Sequence, residues 1–232
     1  MNFPDRYARN QIITDKMQAE LRNKTVAVIG LGGLGGFVAE ELVRFGVGHI
    51  LGFDFDRFSE TNLNRQLFCT ERTLDRLKTE AAAERLKEVN SDILFKGFSK
   101  LLARGEMTDA IRGCDAVMDC LDTAADRLAL EEMCEELSIP LIHGSIGGWI
   151  GQVCTVFPGD RLLRNIYSGF DEADNPWGNA VFTAGLVASL QVSEAVKVLT
   201  GEGTPIRNRV LFIDLACNEF EFLDFSETEL MS

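Results

Sequence analysis

Hydrophobic and polar positions follow two alternating patterns between residues 24 and 143. Short and almost unbroken apolar runs predict buried strands, whereas longer stretches with apolar residues every three or four positions predict helices. The predicted strands are 25–29, 49–54, 93–96, 116–119 and 140–143, and the predicted helices are 34–45, 74–89 and 124–137. This alternation of buried strands with helices indicates a parallel sheet covered on both faces.

The pattern changes after Gly144. Residues 152–157 and 209–223 predict antiparallel strands with a helix at 181–199 between them, and the stretch 159–178, rich in Gly, Asp, Asn and Pro, predicts a loop. We therefore expect one α/β domain over residues 1–232. Its fold class is a Rossmann-like, doubly wound and mostly parallel sheet extended by antiparallel C-terminal strands.

Charge and composition restrict the partners. The chain has 36 acidic and 23 basic residues, a formal net charge of -13, which argues against nucleic acid or an anionic membrane as partner. The N-terminus lacks the apolar region of a signal peptide, and the longest mostly apolar stretch, 180–190, is too short to span a bilayer. These features predict a cytoplasmic protein.

The cysteines do not predict a structural metal site. None of the six forms a C-x-x-C pair, and only two histidines accompany them, so no zinc is expected. We expect reduced and mostly buried thiols, with Cys154 and Cys217 as packing residues in strands.

A glycine-rich turn lies between the first predicted strand and the helix that follows. It contains Gly30, Gly32, Gly33 and Gly35 in the G-x-G-x-x-G spacing, which lets backbone amides approach a phosphate group. Asp54 ends the second predicted strand, at the position of a ribose ligand. Together they predict nucleotide binding and leave the identity of the nucleotide open.

Further polar residues follow this acid. Asp56 comes two positions after it. Four more residues are suited to a phosphate chain, since Arg offers a fork of donors, amides orient oxygens and Lys supplies a mobile charge; they are Asn62, Arg65, Gln66 and, near the start of the next predicted helix, Lys78. The ordinary alternative is a polar surface loop with salt bridges and a solvated lysine.

A second acidic segment follows the fourth predicted strand. It contains Asp119 and Asp122, and ligands of open α/β sheets gather at the carboxyl ends of strands. Asp122 is placed to hold Mg²⁺ through water or phosphate oxygens. Alternatively, Asp122 or Thr123 caps the following helix, and both roles fit if Thr123 is the cap.

These elements, in this order, resemble the ThiF/MoeB/HesA family, the bacterial relatives of ubiquitin-activating enzymes. The resemblance extends over nearly the whole chain. It is carried by the opening Arg6-Tyr7-Ala8-Arg9, the glycine turn, the N-L-x-R-Q segment that ends at Gln66, Lys78, the D-x-x-D after the fourth strand and the late helix at 188–197.

The resemblance implies an ATP-dependent adenylyltransferase. It would activate the C-terminal Gly-Gly carboxylate of a ubiquitin-like sulfur carrier as an acyl-adenylate and release pyrophosphate. The implied roles are phosphate approach at Gly32, ribose binding by Asp54, triphosphate contact by Arg65, Gln66 and Lys78, Mg²⁺ at Asp122, and Arg9 reaching in from the partner subunit of a homodimer. It also divides the domain into a helical arm (1–23), a nucleotide-binding part (24–143) and a carrier-binding and dimer part (144–232).

Other functions remain open at this point. A related enzyme, the tRNA threonylcarbamoyladenosine dehydratase, uses similar chemistry, although an acidic chain argues against tRNA. An NAD-dependent oxidoreductase would need a proton-handling residue, for which His143 is the candidate. A nucleotide-binding regulatory subunit would not need Arg65, Lys78 and Asp122 together. The carrier, its pathway (thiamin, molybdenum or tungsten cofactor, or another) and the sulfur donor are undetermined.

Overall fold

One mixed sheet forms the centre of the computed structural model, which describes residues 5–167 and 177–225. In the described residues its strand order is β3-β2-β1-β4-β5-β6-β7-β8. The strands are β1 (Thr25–Ile29), β2 (His49–Phe53), β3 (Leu94–Phe98), β4 (Ala116–Asp119), β5 (Leu141–Gly147), β6 (Ile150–Val156), β7 (Arg209–Asp214) and β8 (Glu219–Asp224).

Helices cover the sheet and close its core. The α-helices within the described part of the chain are α1 (Asp15–Leu21), α2 (Gly35–Phe45), α3 (Lys78–Val89), α4 (Arg104–Ile111), α5 (Ala124–Leu137), α6 (Leu162–Tyr167) and α7 (Val181–Thr200), and short 3₁₀ helices lie at Asp5–Tyr7 and Glu60–Asn62. Local chemistry sets their ends. Thr123 accepts the Asp126 amide and caps α5, and Gly46, with φ +100°, ends α2.

The parallel strands place the site. β1 pairs in parallel with β2 on one side and with β4 on the other, so that Ile29 lies beside both Phe53 and Asp119. The chain adds strands on one side of β1 as far as β3 and then on its other side from β4 onward. Such a switch in strand order leaves a crevice at the carboxyl ends of the strands. The glycine turn follows β1 directly and opens into this crevice.

The second half of the sheet is antiparallel. β5 is parallel to β4 and antiparallel to β6, and β7 and β8 complete a hairpin ladder. The predicted strand over 209–223 is therefore two strands, which are joined by a turn in which Asn218 has φ +58°. The predicted fold class is confirmed.

The structure differs from the predicted secondary structure at three places. The helix predicted over 74–89 begins at Lys78, because Asp75 takes φ +61° and Leu77 forms an isolated bridge with Arg57. The stretch predicted as a loop over 159–178 contains α6, and its residues 168–176 lie outside the described residues. Helix α4 was not predicted, since its alternation of apolar and polar positions is weak.

Helix α7 is long and apolar enough, by length and composition, to cross a membrane. It packs against β5, β6 and α2, and half of its most apolar window is buried. It also buries two hydrogen-bonded polar side chains, Gln191 and Glu194. These polar contacts identify α7 as a core helix of the fold.

Candidate active site

Two glycines of the turn are required by the packing of the chain itself. Gly30 has φ +92°, and a Cβ there would lie 2.6 Å from the carbonyl oxygen of Cys120. A Cβ on Gly35 would lie 1.8 Å from the carbonyl oxygen of Gly30. The turn after β1 is therefore pressed against the segment that follows β4, and neither position accepts a side chain.

The other two glycines have a different surrounding. A Cβ on Gly32 would meet only the side chain of Gln66, at 3.4 Å, and one on Gly33 would meet only that of Arg65, at 3.8 Å. These are ordinary contacts, so the packing of the described residues leaves room for a side chain at both positions. Glycine there keeps the backbone bare beneath Arg65 and Gln66, as close approach of a ligand requires.

The segment Arg57–Gln66 brings its polar side chains to this turn. The Asn62 carboxamide accepts the Ser59 amide at 3.0 Å and stabilises the short helix, so the fold itself uses Asn62. Arg65 Nη1 donates to the Thr61 carbonyl oxygen at 3.0 Å. Gln66 is buried, and its Oε1 has no hydrogen-bond partner within the described residues. An unpartnered buried carbonyl oxygen is costly, which indicates a group that the ligand or water supplies.

Asp54, Asp56 and Lys78 form a second group beside the turn. Lys78 is 6% exposed, and its Nζ lies 2.9 Å from Asp56 Oδ2 and 3.3 Å from Asp54 Oδ2. Asp54 also accepts the Leu31 amide at 2.8 Å and the Asp56 amide at 2.9 Å. The ordinary alternative of a solvated lysine is wrong, because α3 begins at Lys78 and directs the side chain inward toward the carboxyl end of β2.

Asp122 lies on the loop between β4 and α5, next to the turn. It is exposed, and it has no hydrogen-bond partner within the described residues, whereas its neighbour Thr123 caps α5 as predicted. Cys120 on the same loop contacts Gly30. The fold thus brings the glycines, Arg65, Gln66, Asp54, Asp56, Lys78 and Asp122 to one edge of the sheet.

Arg9 lies elsewhere in the chain. It is exposed, and its neighbours attach the arm to the far end of α2, where Asn10 donates to the Phe45 carbonyl oxygen at 3.2 Å and Tyr7 contacts Gly46. The glycine turn lies at the other end of this helix of 11 residues, about 16 Å away. Arg9 is therefore remote from the site of its own chain.

Comparison with known proteins agrees with this arrangement. A family model described as "ThiF family" matches residues 5–230. The chain belongs to the ThiF family. It is 33% identical over 219 residues to "Adenylyltransferase and sulfurtransferase MOCS3" of Drosophila persimilis, covering 90% of this chain and 48% of the relative, so it spans about half the length of that protein.

Other matches cover most of their length. The chain is 33% identical over 216 residues to "Sulfur carrier protein ThiS adenylyltransferase" of Escherichia coli (strain K12), covering 89% of this chain and 86% of the relative. A crystal structure of E. coli MccB with ATP superposes with a TM-score of 0.82 at 21% identity, covering 96% of this chain and 72% of MccB, and shows the same fold.

The cysteines of this ThiF-family chain are mostly buried. Burial raises the pKa of the Cys120 and Cys154 thiols, and it raises that of Cys114 to about 11, so these thiols stay protonated and are poor nucleophiles. The prediction that Cys217 packs inside a strand was wrong, because the residue is exposed in the β7–β8 turn. Within residues 5–167 and 177–225, no three His, Cys, Asp or Glu side chains are grouped to hold a metal ion.

Sequence reasoning missed one polar cluster behind the site. It named Asp119 and His143 separately and did not name Tyr167, yet His143 Nδ1 lies 2.7 Å from Asp119 Oδ2 and its Nε2 lies 3.1 Å from the Tyr167 hydroxyl. All three groups come from different elements. A signal was present, since Asp119 and His143 are the polar last residues of two predicted strands, 116–119 and 140–143, that are otherwise apolar.

Proposed function

We propose that this chain is an ATP-dependent adenylyltransferase that activates the C-terminal glycine carboxylate of a ubiquitin-like sulfur carrier as an acyl-adenylate and releases pyrophosphate. Its family membership and the carboxyl-edge site both support this reaction. The carboxylate nucleophile is already ionised at neutral pH, so no general base is needed. Catalysis then rests on positioning the two anionic reactants and on stabilising charge on the leaving pyrophosphate.

The bare backbone beneath two polar side chains carries the proposal. Gly32 and Gly33 are free of steric demands from the fold, and Gln66 has an unsatisfied oxygen beside them. The helix α2 begins here without a side-chain cap, so its first amides are available to phosphate oxygens. The residues present therefore fit a nucleoside triphosphate, with Arg65 holding phosphate oxygens above the turn.

Asp54, Asp56 and Lys78 are assigned to the ribose and phosphates. The Asp54 carboxylate already accepts two amides and the lysine, so about one of its lone-pair positions remains for a ribose hydroxyl. The two carboxylates fix Lys78 Nζ inside the crevice before any ligand arrives. Such preorganisation avoids the cost of ordering a long side chain during the reaction.

Asp122 is assigned to the magnesium ion. Its carboxylate is exposed next to the glycine turn, and the absence of a nearby cluster of metal ligands in the described residues leaves the remaining positions to phosphate oxygens and water. A bound Mg²⁺ would neutralise phosphate charge and favour departure of pyrophosphate.

Arg9 is assigned to the site of a partner subunit. An exposed arginine held at the far end of α2 does not reach its own glycine turn without detaching the arm, which Asn10, Gln18 and Tyr7 anchor. In a homodimer, the arm can stay anchored to its own chain and still place Arg9 at the site of the partner subunit. The arginine then stabilises charge in trans.

The antiparallel half is assigned to the carrier and the dimer contact. Its hairpin β5–β6 contains Gly147, Gly148 and Gly151, which suit close passage of an extended glycine tail. Near the hairpin tip, the half-exposed rings of Trp149 and Phe182 pack 4.7 Å apart. A paired exposed aromatic surface is typical of a protein contact.

The alternatives receive no comparable support. His143 would serve an oxidoreductase only if a substrate reached it, yet it is fully buried and both of its ring nitrogens have protein partners. The dehydratase would use the same nucleotide chemistry. It differs from the proposed enzyme in its substrate, which would be a tRNA instead of a carrier protein.

Carrier-dependent exchange of labelled pyrophosphate into ATP tests the proposal. We expect exchange with ThiS-like or MoaD-like carriers that end in Gly-Gly, and none with the same carrier lacking its last glycine. Exchange that ignores this truncation, or nicotinamide binding in place of ATP, would contradict the assignment.

A further inference from the structure

The loop that carries Asp122 is held on both sides of that residue. The Leu121 amide donates to Asp119 Oδ1 at 3.0 Å, and the Leu121 carbonyl oxygen accepts Arg127 Nη2 at 2.7 Å. On the other side, Thr123 Oγ1 accepts the Asp126 amide at 3.1 Å. The Asp122 side chain makes no such contact within the described residues. Its neighbours therefore hold its backbone, while its carboxylate stays exposed.

The two groups that hold Leu121 belong to a larger buried network. Asp119 Oδ2 contacts His143 Nδ1 at 2.7 Å, and His143 Nε2 contacts the Tyr167 hydroxyl at 3.1 Å. The Tyr167 oxygen also lies 2.9 Å from Arg127 Nη1 and 2.7 Å from Gln152 Nε2. Through His143, the Tyr167 hydroxyl is connected to Asp119, which accepts the Leu121 amide. The same hydroxyl also contacts Arg127, which donates to the Leu121 carbonyl oxygen.

The protons of this network have one consistent arrangement. Burial lowers the pKa of His143, so its imidazole is neutral and has one donor and one acceptor nitrogen. His143 Nδ1–H donates to Asp119, and Nε2 accepts the Tyr167 O–H. The Arg127 guanidinium and the Gln152 carboxamide then donate to the tyrosine oxygen. Each of these contacts pairs a donor with an acceptor, which stabilises a buried network, although Arg127 Nε has no hydrogen-bond partner within the described residues.

The packing holds the tyrosine in place. Asp119 and His143 are completely buried, and Arg127 is 7% exposed. Tyr167 ends α6, whose first amides are accepted by the buried carboxylate of Glu131, at 2.7 Å from the Leu163 nitrogen. Helix α6 is thus fixed at its start by α5 and at its end by the network.

We propose that Asp119, Arg127, His143 and Tyr167 form a positioning network that fixes the Asp122 backbone against the glycine turn, and so determines how strongly a divalent cation promotes nucleotide binding. None of the four is a catalytic residue, because they act through Leu121. The inference rests on the proposed function, specifically on Asp122 as the magnesium residue.

Calorimetric titration with ATP, in Mg²⁺ and separately in EDTA, measures this property directly. The ratio of the two Kd values gives the promotion of ATP binding by the cation without any carrier or turnover. Tyr167→Phe removes one oxygen from the network, and Arg127→Lys removes the donor to Leu121 while keeping the charge. We expect each change to lower the ratio about 10-fold, while Kd in EDTA changes less than about twofold.

Thr155→Val is the matched control. It also removes one buried hydroxyl, which donates to Glu194 at 2.8 Å, but within the described residues this side chain makes no hydrogen bond to the network or to the Asp122 loop. Its ratio should equal that of the unmodified chain, even if its stability falls by about 1 kcal/mol. Amide hydrogen exchange at residues 120–123 adds a readout without nucleotide, and it should be faster in Tyr167→Phe than in Thr155→Val.

Asp122→Asn separates failure of the inference from failure of the proposed function. If Asp122→Asn abolishes the Mg²⁺ effect but Tyr167→Phe and Arg127→Lys leave the ratio and the exchange rates unchanged, the positioning network is wrong and the magnesium assignment stands. If Asp122→Asn leaves the ratio unchanged, the magnesium assignment fails and the inference falls with it.

Discussion

The two halves of the sheet differ in what they present to the surroundings. The parallel half, β3-β2-β1-β4, presents charged and amide groups at its carboxyl edge and exposes its large apolar side chains singly, as at Leu94. The antiparallel half, β5 to β8, presents apolar groups together. These are the Trp149–Phe182 pair and, on β8, Phe220, Phe222 and Leu223.

This difference separates two kinds of recognition. Fixed charges and bare backbone in a crevice suit a small anionic ligand, whose affinity depends on a few placed hydrogen bonds. Grouped exposed aromatic side chains suit a protein surface, where burial of apolar area supplies the affinity. We therefore expect changes in the parallel half to affect the chemical step, and changes in the antiparallel half to affect the carrier.

The largest expected effect would show that the parallel half is incomplete without a second subunit. Arg9→Ala should lower pyrophosphate exchange about 10³-fold, because a charge-stabilising group in trans is lost. Mixing Arg9→Ala with Asp122→Ala should restore about a quarter of the activity, since half the dimers are mixed and each has one intact site. No recovery on mixing would place the arginine in its own chain or outside the reaction.

The next effect tests the fixed charge of the parallel half. Lys78→Met should lower kcat for exchange about 10²- to 10³-fold, because the preorganised cation is removed from the phosphates. Lys24→Met is the matched control, since Lys24 also pairs with an aspartate, Asp115 at 2.8 Å, but lies before β1 at the opposite edge. Equal losses in both variants, with both folded by circular dichroism, would show that Lys78 is only structural.

A smaller effect tests the antiparallel half. Trp149→Ala should raise KM for the carrier about 10-fold and leave KM for ATP unchanged, because an exposed aromatic anchor of a protein contact is lost. Leu94→Ala, which removes an even more exposed apolar side chain from the parallel half, should change neither constant. If the tryptophan change alters KM for ATP instead, the division between the halves is wrong.

The smallest effect concerns His143, at the boundary between the halves. This residue contacts Asp119, lies close to Arg127 and pairs with Cys154 on the neighbouring strand. Because burial lowers the pKa of His143, this residue binds protons more readily in the unfolded chain than in the folded chain below about pH 6.5. The contribution of His143 is complete above that pH and is lost as the pH falls toward its folded pKa.

Urea unfolding at pH 7.5 and 5.5 measures this contribution. The free energy of unfolding should fall by about 1 kcal/mol more in the unmodified chain than in His143→Gln over this interval. The comparison between variants is needed because burial raises the pKa of Glu41 and Glu131, which favours the folded state as the pH falls. Equal pH slopes in the two chains would contradict a neutral buried His143.

Much of the architecture was predictable because its determinants are local. Strands β1 and β4 and helix α5 were predicted with their observed bounds, since each is an uninterrupted apolar run or a capped periodic stretch. The predictions were wrong where local signals are weak or conflict. Asp75 adopts a left-handed conformation inside an apparently helical stretch, and Cys217 occupies a turn inside an apparent strand.

The sequence by itself determined the alternation of strands and helices from β1 to β5, apart from α4, together with the fold class and the glycine turn, because periodicity, caps and turn residues act over a few positions. The family also followed from the order of its motifs. Only the tertiary structure decided which side chains meet. Lys78 lies between two aspartates, and His143 joins Asp119 to Tyr167, each across 22 or more residues of chain. Such partners depend on how strands and helices pack, which no local pattern encodes.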